Sequence, residues 1–459
     1  MNYAGRFKQI EHVAIIGAGF SGALQAINLL RHEGPRATLI ERHPEIGKGV
    51  AYSAAHPDHL LNVRAGNMSA LPDDSDHFVR WMAANGVGSV DGFVPRITYG
   101  DYLSDLLGEA SLRGGDRLAV RAGEAVDIRF DPHQATVILA DGTEIGADTV
   151  ILAPGNLPPH APPQLADAGL PAELYVADPW AGDIADGLGD DDVVLVLGTG
   201  LTMVDVALLL DARGFRGRIV ALSRRGLLPR PHVDSSAPAV SRLAERPTLR
   251  PSALLRFVRE RAALIGWRAA VDELRPFTQD LWLAAPPAAR GRFLRHLRPW
   301  WDVHRHRIAP AVARRIDAMR RDGRLEIMAG RLDGLKSHGD RATVSWCPRG
   351  SDAPREIDVR RIINCTGPQG DLLRTTEPLL RRLLEGGHIR PDGLRLGIDV
   401  NKQAETIGAD GRPNPRLLAL GPMTRGVFWE IVAVPDIRMQ TWSVARQLSN
   451  AHWVEGEGL

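Results

Sequence analysis

Along this chain the apolar residues gather into short unbroken runs, several of them followed by a glycine-rich turn and a stretch of helical period. Runs of that kind are strands buried on both faces, and their alternation with helices predicts an α/β fold built on parallel sheets. Residues 12–16, His-Val-Ala-Ile-Ile, read as the first such strand, residues 22–30 as a helix and residues 37–41 as the second strand. The order returns at 191–197 with a strand, then an amphipathic helix running to Leu210, then a strand over 218–223. Residues 119–152 predict short strands with an Asp141-Gly142 hairpin, closing on Ala153-Pro154-Gly155. Residues 325–367 predict the same succession, closing on Cys365-Thr366-Gly367. Such endings are where a chain crosses between two lobes, and the proline-rich stretch 154–163 is an extended connector that cannot be helical. The expectation is a nested chain. A first unit over 1–156 resumes over 356–459, and a second unit over 157–355 is inserted into it, carrying a mostly helical segment at 240–325. The resumed part holds a last parallel strand ending at Gly421 and a helix with Pro435 near its first turn.

Both glycine turns carry phosphate-binding chemistry. In Gly17-Ala18-Gly19-Phe20-Ser21-Gly22, Gly17 allows the tight turn, Gly19 admits a pyrophosphate to the backbone and Gly22 lets helix pack on strand. Phe20 and Ser21 open a helix whose free N–H groups favour an anion. Glu41, ending the next strand, is placed to accept hydrogen bonds from a ribose 2′- and 3′-hydroxyl pair. A glycine-rich turn alone also joins ordinary strands and helices; strand, turn, helix, strand and acid in this register point to a dinucleotide. In the second turn Gly198 and Gly200 keep the phosphate-facing positions, Leu201 and Thr202 open the helix, and Met203 replaces the third glycine. The following strand ends in Arg224-Arg225 instead of an acid. Arginines pair with a 2′-phosphate, so NADPH is expected in preference to NADH, the alternative being a solvated surface pair.

With 459 residues the chain exceeds what one core organises, and 44% hydrophobic with 24% charged residues describe an ordinary globular protein. The 56 Lys and Arg against 55 Asp and Glu leave a formal charge of +1, which gives no general reason to expect nucleic acid. Arginine and histidine concentrate locally between about 290 and 325. That cluster reads either as a surface for an anionic or aromatic substrate, or as a solvated face with interdomain salt links in which Trp300 and Trp301 are core anchors. His304 and His306 point to different helix faces, so no metal is expected. No apolar stretch is long enough to cross a membrane and residues 1–8 lack an apolar signal core, so a cytoplasmic location is expected. The two cysteines, Cys347 and Cys365, lie too far apart for a Cys-x-x-Cys pair, which excludes disulfide-relay chemistry in this chain.

Four segments carry a family resemblance: 47–53 (Gly-Lys-Gly-Val-Ala-Tyr-Ser), 59–63 (His-Leu-Leu-Asn-Val), the turn 198–205, and 429–438 (Trp-Glu-Ile-Val-Ala-Val-Pro-Asp-Ile-Arg). The chain resembles the two-dinucleotide-binding-domain flavoproteins, and within them the bacterial FAD/NAD(P)-binding proteins of the YdhS-like type. The resemblance covers nearly the whole chain. It implies a Rossmann-like FAD-binding domain with an inserted NAD(P)-binding Rossmann-like domain carrying a helical insertion. Candidate FAD contacts are then Gly17, Gly19, Phe20, Ser21, Gly22, Glu41, Arg42, Gly49, Asn62, Val63, Gly367, Gly421, Asp436 and Ile437; candidate nicotinamide-nucleotide contacts are Gly198, Gly200, Leu201, Thr202, Arg224 and Arg225. Many relatives carry Gly-Asp where this chain has Gly421-Pro422, which leaves the ribityl phosphate contact open.

The resulting expectation is hydride transfer from NADPH to FAD and onward passage of electrons. Without a cysteine pair or an iron–sulfur ligand set, the simplest acceptors are dioxygen or a small organic molecule. A monooxygenase hydroxylating a small organic substrate through a flavin hydroperoxide is the favoured reading, with Asn62, Trp429 and Arg438 as catalytic candidates. An NAD(P)H-flavin reductase or oxidase, or a non-catalytic flavin-binding protein, are the alternatives. Specificity is expected from regions 50–70, 290–310 and 425–440. The expected partner is a small molecule, with neither nucleic acid nor membrane; association into a homo-oligomer is left open.

Overall fold

The computed structural model describes residues 10–53, 56–166, 168–233, 247 and 250–449. Its first sheet runs, edge to edge, Glu405–Ile407, Pro413–Ala419, Thr149–Leu152, His12–Ile16, Arg36–Glu41 and Leu118–Ala122. The pairings are parallel except at the Glu405–Ile407 edge. Val13, Ala14 and Ile15 are wholly buried, as strands covered on both faces require. One face is covered by the helices Phe20–Arg31, Arg96–Gly114 and Val434–Leu448, the other by the helix Pro378–Glu385 and an antiparallel sheet, Ala125–Phe130, Ala135–Leu139 and Glu144–Ala147. The Asp141-Gly142 hairpin is the turn of that small sheet, with Gly142 at φ +85°.

The second sheet repeats the plan, in the order Arg355–Val359, Arg341–Pro348, Leu325–His338, Arg218–Ser223, Val193–Leu197, Arg361–Asn364 and Tyr175–Val176. Its three antiparallel strands continue the sheet, whereas their counterparts in the first unit separate from theirs. The strand Arg361–Asn364 hydrogen-bonds between Val193–Leu197 and Tyr175–Val176. The chain therefore leaves the second sheet after Asn364, past the expected return near 356: Ile362 and Ile363 are buried on both faces, and the buried Arg361 is satisfied by three backbone carbonyls, so this short strand pairs centrally. Met203, in place of the third glycine, is wholly buried in the core between sheet and helix.

The expected helical segment holds six α-helices among the described residues, Pro251–Ile265, Trp267–Asp272, Thr278–Ala284, Pro287–His296, Arg298–Arg305 and Pro310–Arg321. Residues 240–246, 248 and 249 of the expected span lie outside the described residues. The segment docks on the first unit through stacked indoles, Trp282 on Trp429 with centroids 4.4 Å apart, closed by Phe293 edge-on at 5.7 Å. Trp301 packs against this cluster, but Trp300 is 41% exposed and is no core anchor.

Candidate functional site

The two glycine turns are built alike. Gly17 sits at φ +98°, and a Cβ there would lie 2.3 Å from the Ala153 carbonyl oxygen, at the end of the neighbouring parallel strand. Gly198 sits at φ +119°, and its Cβ would lie 2.1 Å from the Cys365 carbonyl oxygen at the equivalent strand end. A side chain at either position is excluded by both backbone conformation and space. The helices that follow, Phe20–Arg31 and Leu201–Ala212, begin on Gly19 and Gly200 without any side-chain cap, which leaves first-turn N–H groups available to an anion. Gly22 lies within the first helix where a Cβ would meet the Gly17 carbonyl oxygen at 1.8 Å. The loop around Gly47 and Gly49 rides on the first turn: the Gly47 N–H donates to the Ala18 carbonyl, and a Cβ on Gly49 would stand 3.1 Å from Gly19 Cα.

Glu41 accepts hydrogen bonds from the N–H of Ala18 at 2.6 Å and of His43 at 2.9 Å, one on each carboxylate oxygen. Each oxygen retains a lone pair for a ribose hydroxyl. Thr199 in the second turn bonds Ser223 at 2.8 Å, fixing the end of the strand that leads into Arg224. Arg224 is exposed there. Arg225 turns away and donates to the carbonyls of Arg295 and His296, near the end of a neighbouring helix.

A single cleft of about 1920 Å³ joins the two units. Gly17, Gly19, Phe20, Ser21, Glu41, Arg42, Gly49, Asn62, Val63, Gly367, Ile437 and Arg438 line it from the first unit's candidates, Leu201 and Thr202 from the second's. Gly22, Gly198, Gly200, Arg224, Arg225, Gly421, Asp436 and Trp429 do not line it. Gly22 and Gly421 act from behind: a Cβ on Gly421 would stand 2.5 Å from Ser21 Oγ, so its bareness lets the last strand close on the first helix. Trp429, a catalytic candidate in the sequence, belongs to the indole stack and does not line the cleft. Asn62 carries no side-chain hydrogen bond among the described residues, while its carbonyl is held by His232 Nε2 at 3.0 Å.

Ionic contacts fix the cleft walls. Arg96 pairs with Asp205 at 2.8 Å and His59 Nε2 bonds the Asp205 carbonyl at 3.0 Å, tying the first unit to the helix after the second glycine turn. Burial presses the His59 imidazole below its usual pKa, with Asp205 opposing. At the other end Arg305 meets the buried Glu430 at 3.1 Å, and Trp301 Nε1 donates to the same carboxylate at 2.7 Å. Burial pushes the Glu430 carboxyl up, but His306, Arg305, Trp301 and Arg275 outweigh it and hold it below the usual range. Burial in turn lowers the His306 imidazole, with Glu430 opposing, and Arg305 makes the direct ion pair with the carboxylate. Glu430 holds φ +70°, a conformation rare for a side-chain-bearing residue. Arg275 bonds Asp436 at 3.3 Å, in the first turn of the helix Val434–Leu448; burial raises the Asp436 carboxyl against that pairing.

The helical segment lines the cleft with residues 265–269, 272, 275 and 305–307, while its 290–304 stretch does not reach it. His59, Arg96, Asp205, His232 and Arg268 are site residues without an individual sequence signal, since their partners lie far away along the chain. Both cysteines are buried and neither lines the cleft. Among the described residues no cluster could hold a metal ion and no helix is long and apolar enough to cross a membrane.

Known proteins agree with this architecture. Residues 14–157 match the family described as FAD-NAD(P)-binding. An L-aspartate N-monooxygenase (nitrosuccinate-forming) from Streptomyces cremeus is 33% identical over 123 residues, 23% of this chain and 18% of that protein, so the match spans under a fifth of the relative's length. An ornithine hydroxylase from Pseudomonas aeruginosa superposes with a TM-score of 0.67 at 14% identity, covering 96% of this chain and 99% of the other. An L-lysine 6-monooxygenase from Pseudomonas syringae gives 0.64 at 15%, covering 96% and 100%, and a thioredoxin reductase from Lactococcus lactis 0.53 at 13%, covering 96% and 98%. The chain has the α/β Rossmann-like fold of the two-dinucleotide-binding flavoproteins.

Proposed function

We propose that the chain is an FAD-dependent, NADPH-using monooxygenase that hydroxylates the nitrogen of a small primary amine. One observation carries the reading: a single cleft runs from the first glycine turn to the first turn of the helix behind the second, so two dinucleotides bound at those turns would share one space. The residues fit FAD, since Gly17 leaves no room for a side chain, Gly49 holds a positive φ in tight contact with Gly19, and the uncapped helix end offers N–H donors. Gly19, Phe20 and Ser21 would hold the pyrophosphate and Glu41 the ribose, while the start of the helix Val434–Leu448 would face the pyrimidine end of the ring. Leu201 and Thr202 would take the NADPH phosphates and Arg224 its 2′-phosphate. Bound FAD supplies hydride acceptance and dioxygen activation. The unpaired Asn62 amide would orient the substrate or the ring edge.

The similar amine hydroxylases support the amine as substrate, and the absence of a cleft thiol argues against a disulfide acceptor despite the thioredoxin reductase likeness. Residues up to 156 together with those after Gly367 would form the FAD unit, and the intervening residues the NADPH unit. The segments 47–53 and 429–438 support placement in the YdhS-like group. The test is steady-state: an amine should stimulate NADPH oxidation and yield a hydroxylamine in proportion. NADPH oxidation giving only hydrogen peroxide with every amine would overturn the reading.

A further inference from the structure

Charge is balanced along most of the cleft and unbalanced at one end. Arg42, Lys48 and Arg96 each pair with a carboxylate. At the end closed by the helical segment, five guanidinium groups line the wall, Arg268, Arg275, Arg305, Arg307 and Arg438. Only three carboxylates answer them: Asp436 for Arg275, Glu430 for Arg305 and Asp272 for Arg307. Arg268 and Arg438 form no ion pair among the described residues; Asp272 and Asp436 act on them only from a distance and are already paired with Arg307 and Arg275.

Both unanswered groups are held in place. Arg268 Nε and Nη2 donate to the Pro231 carbonyl at 3.1 and 2.9 Å, and its guanidinium lies 4.3 Å from the centre of the Trp267 ring. Arg438 Nη1 donates to the Ser69 carbonyl at 2.6 Å, while its Nε is buried with no hydrogen-bond partner. That Nε is closed off from the cleft, so Nη2, which donates to nothing among the described residues, is the donor left for an arriving carboxylate. Burial first, and then the neighbouring Arg307 and Arg230, press Arg268 below the usual guanidinium range, with Asp272 opposing from nearby. Both arginines line the same cleft as Asn62, and Arg268 grips Pro231, whose neighbour His232 holds the Asn62 carbonyl.

Resting on the amine-hydroxylase reading above, we infer that the substrate is an amino diacid, a primary amine bearing two carboxylates that lie against Arg268 and Arg438. A diamine or a simple alkylamine would leave both guanidinium groups unanswered and add positive charge to a cationic wall. Two preorganised arginines thus select for the acid and against the base.

The test uses the FAD-loaded full chain. Succinate, a diacid without a reacting nitrogen, should bind in calorimetry and raise the melting temperature, and putrescine should do neither. L-aspartate or L-glutamate should stimulate NADPH oxidation more than L-lysine does. R268Q and R438Q should each weaken succinate binding roughly ten- to hundred-fold with FAD content retained, the loss expected for one charge-assisted contact, and R268K should recover part of it. Absence of succinate binding to the unmodified holoenzyme, or a preference for putrescine, overturns the inference without needing any variant. If NADPH bleaches the flavin and diacids still fail to bind, only the diacid falls; if NADPH does not bleach it, the oxidoreductase reading falls first.

Discussion

At the scale of single residues, the site depends on atoms that are missing as much as on those present. Gly17→Ala would put a methyl group 2.3 Å from the Ala153 carbonyl oxygen, at a φ that alanine adopts only under strain of about 1–3 kcal/mol. The variant should purify without yellow colour while retaining a cooperative unfolding transition; full FAD occupancy would contradict the role given to this turn. Arg224 and Arg225 look equivalent in sequence and are not. Arg225 is occupied by the carbonyls of Arg295 and His296, leaving Arg224 for a 2′-phosphate. Arg224→Ala should raise the dissociation constant for NADPH roughly ten- to hundred-fold and leave NADH nearly unchanged, and equal losses for both nucleotides would refute the assignment. His232 gives a pH signature. Burial lowers its imidazole to about 4, against an unfolded value near 6.5. A depressed histidine contributes stability that is present above about pH 6.5 and lost as pH falls toward 4, here up to about 3 kcal/mol. Denaturation in that window should show a slope that His232→Asn reduces.

Among elements, the strands, helices and turns of the nucleotide units were legible because each combines an unbroken apolar run with a glycine whose bareness has one use. The helix Phe20–Arg31 and the strand Arg218–Ser223 follow their patterns within a residue or two. The return to the first sheet comes later than the expected 356 because Arg355–Val359 alternates charged with apolar residues and Arg361–Asn364 carries only two apolar ones, so neither announces its sheet and only hydrogen bonding separates the edge strand from the central one. The docking contact of Trp429 was not legible for a related reason: a tryptophan in a distinctive motif can serve docking as readily as chemistry, and its partner Trp282 lies in another segment. The cleft face of the helical segment was not legible, since helical period marks a buried face without saying which partner covers it. Trp429→Ala should cost about 3–5 kcal/mol, the usual loss for truncating a core tryptophan, and should loosen the helical segment before the sheets. Hydrogen exchange would detect this as faster exchange across 278–305, and unchanged protection there would contradict the docking role.

Across the whole molecule, the two units are tied on both sides of the cleft. Arg96 with Asp205 and Arg315 with Asp58 lie toward the second glycine turn, and Arg305 with Glu430 and Arg275 with Asp436 toward the helical segment. Ties at both ends hold the glycine turns in one relative setting, so electron transfer would take place within one chain and without a lobe rotation. The most direct measurement is anaerobic stopped-flow mixing of the FAD-loaded protein with NADPH, repeated across a dilution series of the protein. The account predicts bleaching of the flavin with a first-order rate that saturates in NADPH and does not change on dilution. Absence of bleaching with FAD bound, or a rate that falls in proportion to protein concentration, would contradict it.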